Sequence, residues 1–157
     1  MRKIAVIILL SMLAALALHA ETQPLSPSFV AYIKACEGWR LEPYIDSTGH
    51  ATIGYGHMIK SGEHFGRLTK DEGTALLMDD LNETVLRVRR HYKQTLSQKQ
   101  IEMFVDFYFN LGSMKAFPKM ERAILSNDMD GMRREYKRYA GGRELTWRNI
   151  RFKERFL

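Results

Sequence analysis

Two carboxyl groups and a hydroxyl stand close together in the first third of the chain: eight residues separate Glu37 from Asp46, and five separate Asp46 from Thr52. Cleavage of a glycosidic bond by water uses such a set. One carboxylic acid lends a proton to the leaving oxygen, a second group remains ionised to activate or orient water, and a hydroxyl helps hold that water. The two carboxyl groups must sit in surroundings that drive their protonation apart. Glu37 closes a helical pattern, where the negative end of the helix dipole and apolar neighbours both favour the protonated acid. Asp46 falls on the neighbouring strand or turn, more open to water, and is expected to stay ionised. The stretch from Ser47 to Ala51 turns the chain back, so a hairpin would bring the Thr52 hydroxyl towards Asp46. Taken alone, the same three residues also describe a helix-end Glu, a turn Asp and a strand Thr.

The elements that would hold these groups follow from periodicity. Ser26 suits a helix cap and Pro27 the first helical position, after which Phe29, Ile33 and Cys36 recur along one face until Glu37-Gly38. From Tyr44 to Ile59 the helical period gives way to β-branched and aromatic residues between turn residues, which predicts a small antiparallel hairpin or sheet. Thr69-Lys70-Asp71-Glu72 is a capping box opening a helix whose apolar stripe is Leu77, Leu81, Val85, Val88 and Tyr92. Ser97 with Gln100 repeats the signature, and Ile101, Phe104, Val105, Tyr108, Phe109 and Leu111 form the most hydrophobic helix, stopped by Gly112. Shorter amphipathic segments lie near Lys119 to Ser126 and Met132 to Tyr139; Gly141-Gly142 precedes a last helix carrying Trp147, Ile150 and Phe156. The lysines and arginines between Arg133 and Arg155 are expected to form mostly a solvated face.

Glu37-Gly38-Trp39-Arg40-Leu41, then Tyr44-Ile45-Asp46, then Thr52-Ile53-Gly54-Tyr55-Gly56-His57 resembles the active-site segment of phage-type lysozymes, glycoside hydrolase family 24. Thr69 to Glu72 resembles the family's helix start after its hairpin, and Phe107 to Gly112 its core segment; the likeness runs from about Ser26 to the end. It implies an α+β, mainly α fold: a small N-terminal lobe with a β-hairpin or sheet, and a larger helical lobe joined to it by a long helix, with glycan in the cleft between. It also implies a muramidase (N-acetylmuramidase) that cleaves the β-1,4 bond between N-acetylmuramic acid and N-acetylglucosamine in peptidoglycan, with inversion and without metal or cofactor. Glu37, Asp46 and Thr52 take the catalytic roles, and Met58 and Phe109 match sugar contacts, although Met and Phe at such spacings also suit a core. His57 is read as a structural partner of an acid.

The C-terminal third departs from the family pattern. Its Gly-Leu and Arg-Arg signature is represented by Leu145 to Arg151, Tyr139 stands for a usual Trp, and Met120 occupies a position where many members place a sugar-contacting Ser. Two other readings stay open: a lytic transglycosylase, which needs the acid but no activated water, and a non-catalytic protein that binds cell wall or disrupts membranes.

Residues 1–20 begin Met1-Arg2-Lys3 and continue as an uncharged apolar run, which reads as a secretory signal peptide or, if uncleaved, a membrane anchor. Residues 21–27, with Pro24 and Pro27, are expected to be a linker, and residues 28–157 the catalytic domain, a single one at this length. Export to the periplasm or cell wall follows, either for host lysis or for local opening of the wall. The formal charge of +6, or +4 without Arg2 and Lys3, suits an anionic wall or membrane surface. Nucleic acid is not an expected partner of an exported chain, and a monomer is expected. Cys36 is the sole cysteine, so no internal disulfide can form, and it is read as a small apolar residue on a buried face.

Overall fold

The computed structural model describes residues 24–46 and 49–157; the signal or anchor segment expected over residues 1–20 lies outside them. Helix α1 (Pro27–Glu37) starts where the Ser26 hydroxyl accepts the Phe29 N–H at 3.2 Å, with Pro27 where no donor is needed. It stops at Gly38, whose φ of +74° suits a residue without a Cβ. A three-stranded antiparallel sheet follows in the order β1 (Arg40–Ile45), β2 (Ala51–Gly54), β3 (His57–Met58). The sheet begins four residues earlier than the alternation from Tyr44 implied. The pairing slips between Arg40 and Tyr44, and that irregularity hides the period of two.

Helix α2 (Lys70–His91) opens with the expected reciprocal cap between Thr69 and Glu72. Its 22 residues reach about 33 Å at the usual helical rise, and it packs on both the sheet and the helix that follows. Helix α3 (Gln98–Leu111), capped by Ser97 and ended by left-handed Gly112, is buried at every position from Gln100 to Tyr108. Against it packs α4 (Pro118–Ser126), which carries α5 (Met129–Glu135) in turn, and α6 (Thr146–Phe156) meets α3 through Phe152 on Phe107. A hairpin of β4 (Tyr139–Ala140) and β5 (Arg143–Glu144) turns on Gly141 and Gly142, both at positive φ. Phe29, Ile33, Leu81, Phe104, Phe107, Met120 and Phe152 lie at the centre of the core, and the Phe107 and Phe152 rings meet edge to face at 5.4 Å. The fold is α+β and mainly helical, as expected: a small sheet lobe, a long helix and a helical body.

Two expectations need correction. The linker assigned to residues 21–27 is part of the folded body from Pro24 onward: Leu25 is buried, Ser26 N–H donates to Glu102 at 3.0 Å, and Gln98 donates to the Pro24 carbonyl. The last helix buries Phe152 and Phe156 together with Arg148 and Asn149, while Trp147 and Ile150 stand in solvent. The basic stretch is exposed at Arg133, Arg134, Lys137, Arg143 and Lys153, as expected, while Arg138 and Arg148 are buried and paired with carboxylates. Met120 is fully buried in the core, away from any surface a ligand could reach.

Candidate active site

Glu37 at the end of α1 and Asp46 in the turn after β1 line one cleft of about 420 Å³ between the sheet lobe and the helices. Met58 of β3 and Phe109 near the end of α3 line it too, so four of the five residues singled out in the sequence meet there. Met58 is half exposed and Phe109 partly buried, so Met58 at least is not held in the core. Gly56 lets the turn approach: a Cβ there would lie 3.6 Å from Glu37 Oε2, and its φ of +89° disfavours any side chain.

Asp46 is held by its turn. Its N–H donates to the His50 carbonyl at 2.9 Å, and its Oδ1 accepts the His50 N–H at 2.9 Å. Thr52 is buried on β2 opposite Tyr44, and its hydroxyl donates to the same His50 carbonyl at 3.1 Å. Asp46 and Thr52 are therefore both fastened to His50, on either side of the turn.

Behind Glu37 lies a chain of charges. The Arg148 guanidinium meets Glu37 Oε1 through Nη1 and Asp106 Oδ1 through Nη2, the latter at 2.8 Å. Arg138 meets the other oxygen, Asp106 Oδ2, at 2.7 Å, with both side chains at 0% exposure. Burial works against the charge on Arg148, but Asp106 and then Glu37 outweigh it and hold the guanidinium above its ordinary basicity. On the same helix end, burial pushes the Cys36 thiol up, against the pull of Arg148. The Cys36 side chain packs against the core, as an apolar residue would.

The opposite wall comes from α2, where Asp80, Glu83, Thr84 and Arg87 project at helical spacing into the cleft beside Lys60. His57 joins this wall to the sheet: Nδ1 meets Asp80 at 2.9 Å and Nε2 meets Glu63 at 3.0 Å. Burial lowers the His57 pKa, but hydrogen bonds to Asp80 and Glu63 outweigh it and raise the imidazole above its usual value. Its two nitrogens face different carboxylates, so His57 is the acid's structural partner and the three groups do not converge on one point.

Arg148, Asp106 and Arg138 were not recognised from sequence. A signal was present: Asp106 interrupts the most hydrophobic helix, and a carboxylate buried there requires a cation. Nothing in the spacing tells which arginines supply it.

The family model described as phage lysozyme matches residues 34–151. The chain is 30% identical over 90 residues to the endolysin of Bacillus phage PZA, covering 56% of this chain and 35% of that protein. It is 30% identical over 95 residues to the endolysin of Acyrthosiphon pisum secondary endosymbiont phage 1, covering 59% of this chain and 62% of that protein. It thus spans about a third of the length of the first relative and under two thirds of the second. The muramidase domain of SpmX from Asticaccaulis excentricus shares the structure at a TM-score of 0.64, with 27% identity, over 86% of this chain and 98% of that one. A P22 lysozyme variant shares the fold at a TM-score of 0.69 and 24% identity, over 86% and 99%.

Proposed function

The chain belongs to the phage lysozyme family, and from that premise we propose that it is an exported muramidase that hydrolyses the β-1,4 bond between N-acetylmuramic acid and N-acetylglucosamine in peptidoglycan. The observation that carries the reading is the placement of Glu37 and Asp46 on one cleft from two separate elements, with Met58 and Phe109 lining the same cleft. The endolysin and muramidase-domain relatives support it.

In this reaction Glu37 gives its proton to the glycosidic oxygen as the bond to the anomeric carbon breaks. Water attacks that carbon, and Asp46 takes a proton from the water. Thr52, whose oxygen keeps acceptor capacity after donating to His50, helps align the water. Inversion follows when water enters from the face opposite the leaving group. After the step Glu37 is a carboxylate and Asp46 an acid, and exchange with solvent restores both. Arg148 is in place to meet the new carboxylate. The glycan strand is the partner, the protein acts as a monomer, and the segment 1–20 delivers it across the cytoplasmic membrane.

Mass analysis of muropeptides released from purified peptidoglycan tests the proposal. Disaccharide products with reducing ends are expected from the wild type and none from Glu37→Gln. Products ending in 1,6-anhydro sugars would make it a lytic transglycosylase. Absence of products from both proteins would leave wall binding or membrane disruption as its activity. The anomeric proton signal of fresh product reports inversion, and retention would overturn that part.

A further inference from the structure

A proton donor in this reaction must hold its proton before the bond breaks and stand as a carboxylate afterwards. Arg148, lying against Glu37 Oε1, serves the second state well and the first badly, because an adjacent guanidinium favours an ionised carboxylate. An unshared arginine at that position would work against catalysis. Arg148, however, is shared. Its Nη2 is 2.8 Å from Asp106 Oδ1, and Asp106 is fully buried, whereas the Glu37 side chain is 22% exposed at the edge of the cleft. Attraction is stronger where water is absent, so the guanidinium is held chiefly by Asp106.

Asp106 is itself fixed from the other side. Arg138 meets its Oδ2 at 2.7 Å and is packed 4.4 Å from the Phe107 ring centre and 5.0 Å from that of Phe152. The backbone of Arg138 is tied to the Asn149 side chain by hydrogen bonds of 3.0 and 3.1 Å. Asn149 adjoins Arg148 on α6, so one short stretch of helix carries both the arginine on Glu37 and the anchor of the second arginine. With Glu37 protonated the cluster holds two arginines against one carboxylate, and with Glu37 ionised it is balanced. Without Asp106, Arg148 would face Glu37 alone.

We infer that Asp106 is a positioning residue for the proton donor: it draws the charge of Arg148 into the core, so that Glu37 keeps its proton until the glycosidic oxygen takes it and then meets a counter-ion already in place. Arg138 acts one step further back, by fixing the Asp106 carboxylate. The inference rests on Glu37 being the proton donor of the proposed reaction. The other charged or titratable groups about Glu37 are Cys36 and Lys34 on its own helix, Asp46 at the facing turn, Lys60 after β3, and Asp80, Glu83 and Arg87 on the α2 wall. The variants below leave all of them in place.

The test uses the full chain carrying Asp106→Asn and follows kcat/KM on purified peptidoglycan against pH. The alkaline limb, where the proton donor empties, is expected to move down by about one pH unit or more. The carboxyl 13C signal of Glu37, titrated by NMR without substrate, is expected to move in the same direction. Asp106→Asn strands Arg138 in the core, so Asp106→Asn with Arg138→Met is made alongside; it removes both members of the buried pair and orphans neither. Its limb is expected to move down as well, by less. Arg138→Met alone is expected to move the limb up. A folded Asp106→Asn or double variant with the wild-type limb and Glu37 titration would overturn the inference. If the wild type releases no reducing-end products, the proposed reaction fails, and the Glu37 titration still decides whether Asp106 governs its proton.

Discussion

Asp46 and Thr52 converge on the backbone of one residue, His50, and this changes what each substitution should do. Asp46→Asn keeps the shape and can still accept the His50 N–H, so the turn should persist while the proposed base for water is lost. A fall in kcat of about 100-fold or more is expected, with the melting temperature unchanged within a few degrees. Turnover measured beside a thermal scan checks it, and a near-wild-type kcat would remove Asp46 from the reaction. Thr52→Val is the complementary case: it keeps the β-branched shape but deletes the hydroxyl that donates to His50. Stability should fall by about 1 kcal/mol, and kcat should fall as well if the oxygen aligns water. Loss of stability with kcat retained would confine Thr52 to holding the turn. Glu37 and Asp46 stand out by residue type and local spacing, whereas Met58 and Phe109 came only through the family resemblance; all four line the cleft. Asp106, Arg138 and Arg148 were not legible, because ion pairs 42 and 32 residues apart leave no periodic trace.

Among the elements, capped helices were read well and irregular strands poorly. Both capping boxes and the Gly112 stop stand where the sequence placed them, since caps are settled by residues three apart. The sheet edge and the exposed face of α6 were misread because a bulge breaks one period and buried polar groups break the other. Two joints between elements have measurable consequences. Gly73 lies under Trp39, whose ring also meets Tyr55 at 4.9 Å between centroids; a Cβ at Gly73 would run into that ring. Gly73→Ala should gain about 0.5–1 kcal/mol in helix propensity. Overpacking a rigid indole costs about 1–3 kcal/mol, so the clash wins and the variant should be the less stable in urea titration. An equal or higher midpoint would mean that Trp39 yields easily. At the other joint, Glu102 binds the Ser26 N–H, Gln98 and Arg155, and so holds the start of α1 to α3 and the end of α6. Burial raises the Glu102 pKa, yet these hydrogen bonds outweigh it and lower it below 4.5. Its stabilisation is therefore complete above that value and lost as pH falls through the lowered one. Glu102→Gln should cost about 1–3 kcal/mol at neutral pH and flatten the acid slope of stability.

For the molecule as a whole, the cleft lies between the sheet and the α2 wall, and His57 is one of the fasteners that join them. It leaves β3, reaches Asp80 on α2, and takes Glu63 from the loop between them, close to Lys60 and Glu83. Burial acts to lower the His57 pKa, and the hydrogen bonds to Asp80 and Glu63 raise it above the usual 6.5. The folded state therefore binds this proton more tightly than the unfolded chain does. The stabilisation is fully present below pH 6.5 and disappears as pH rises through the raised value, opposite in sign to the acid slope from Glu102. Burial pushes Asp80 up and the Lys60 N–H pulls Glu63 down, but an alkaline slope beginning at 6.5 belongs to the imidazole. Urea unfolding between about pH 6 and pH 9 should show wild-type stability declining across the window, and His57→Asn should be less stable at the acid end and flatter throughout. Because Asp80 also lines the cleft, the loosened wall should raise KM for peptidoglycan at alkaline pH in the wild type and at every pH in the variant. Parallel stability curves for the two proteins would mean that His57 fills space between the sheet and α2 without binding them through its charge.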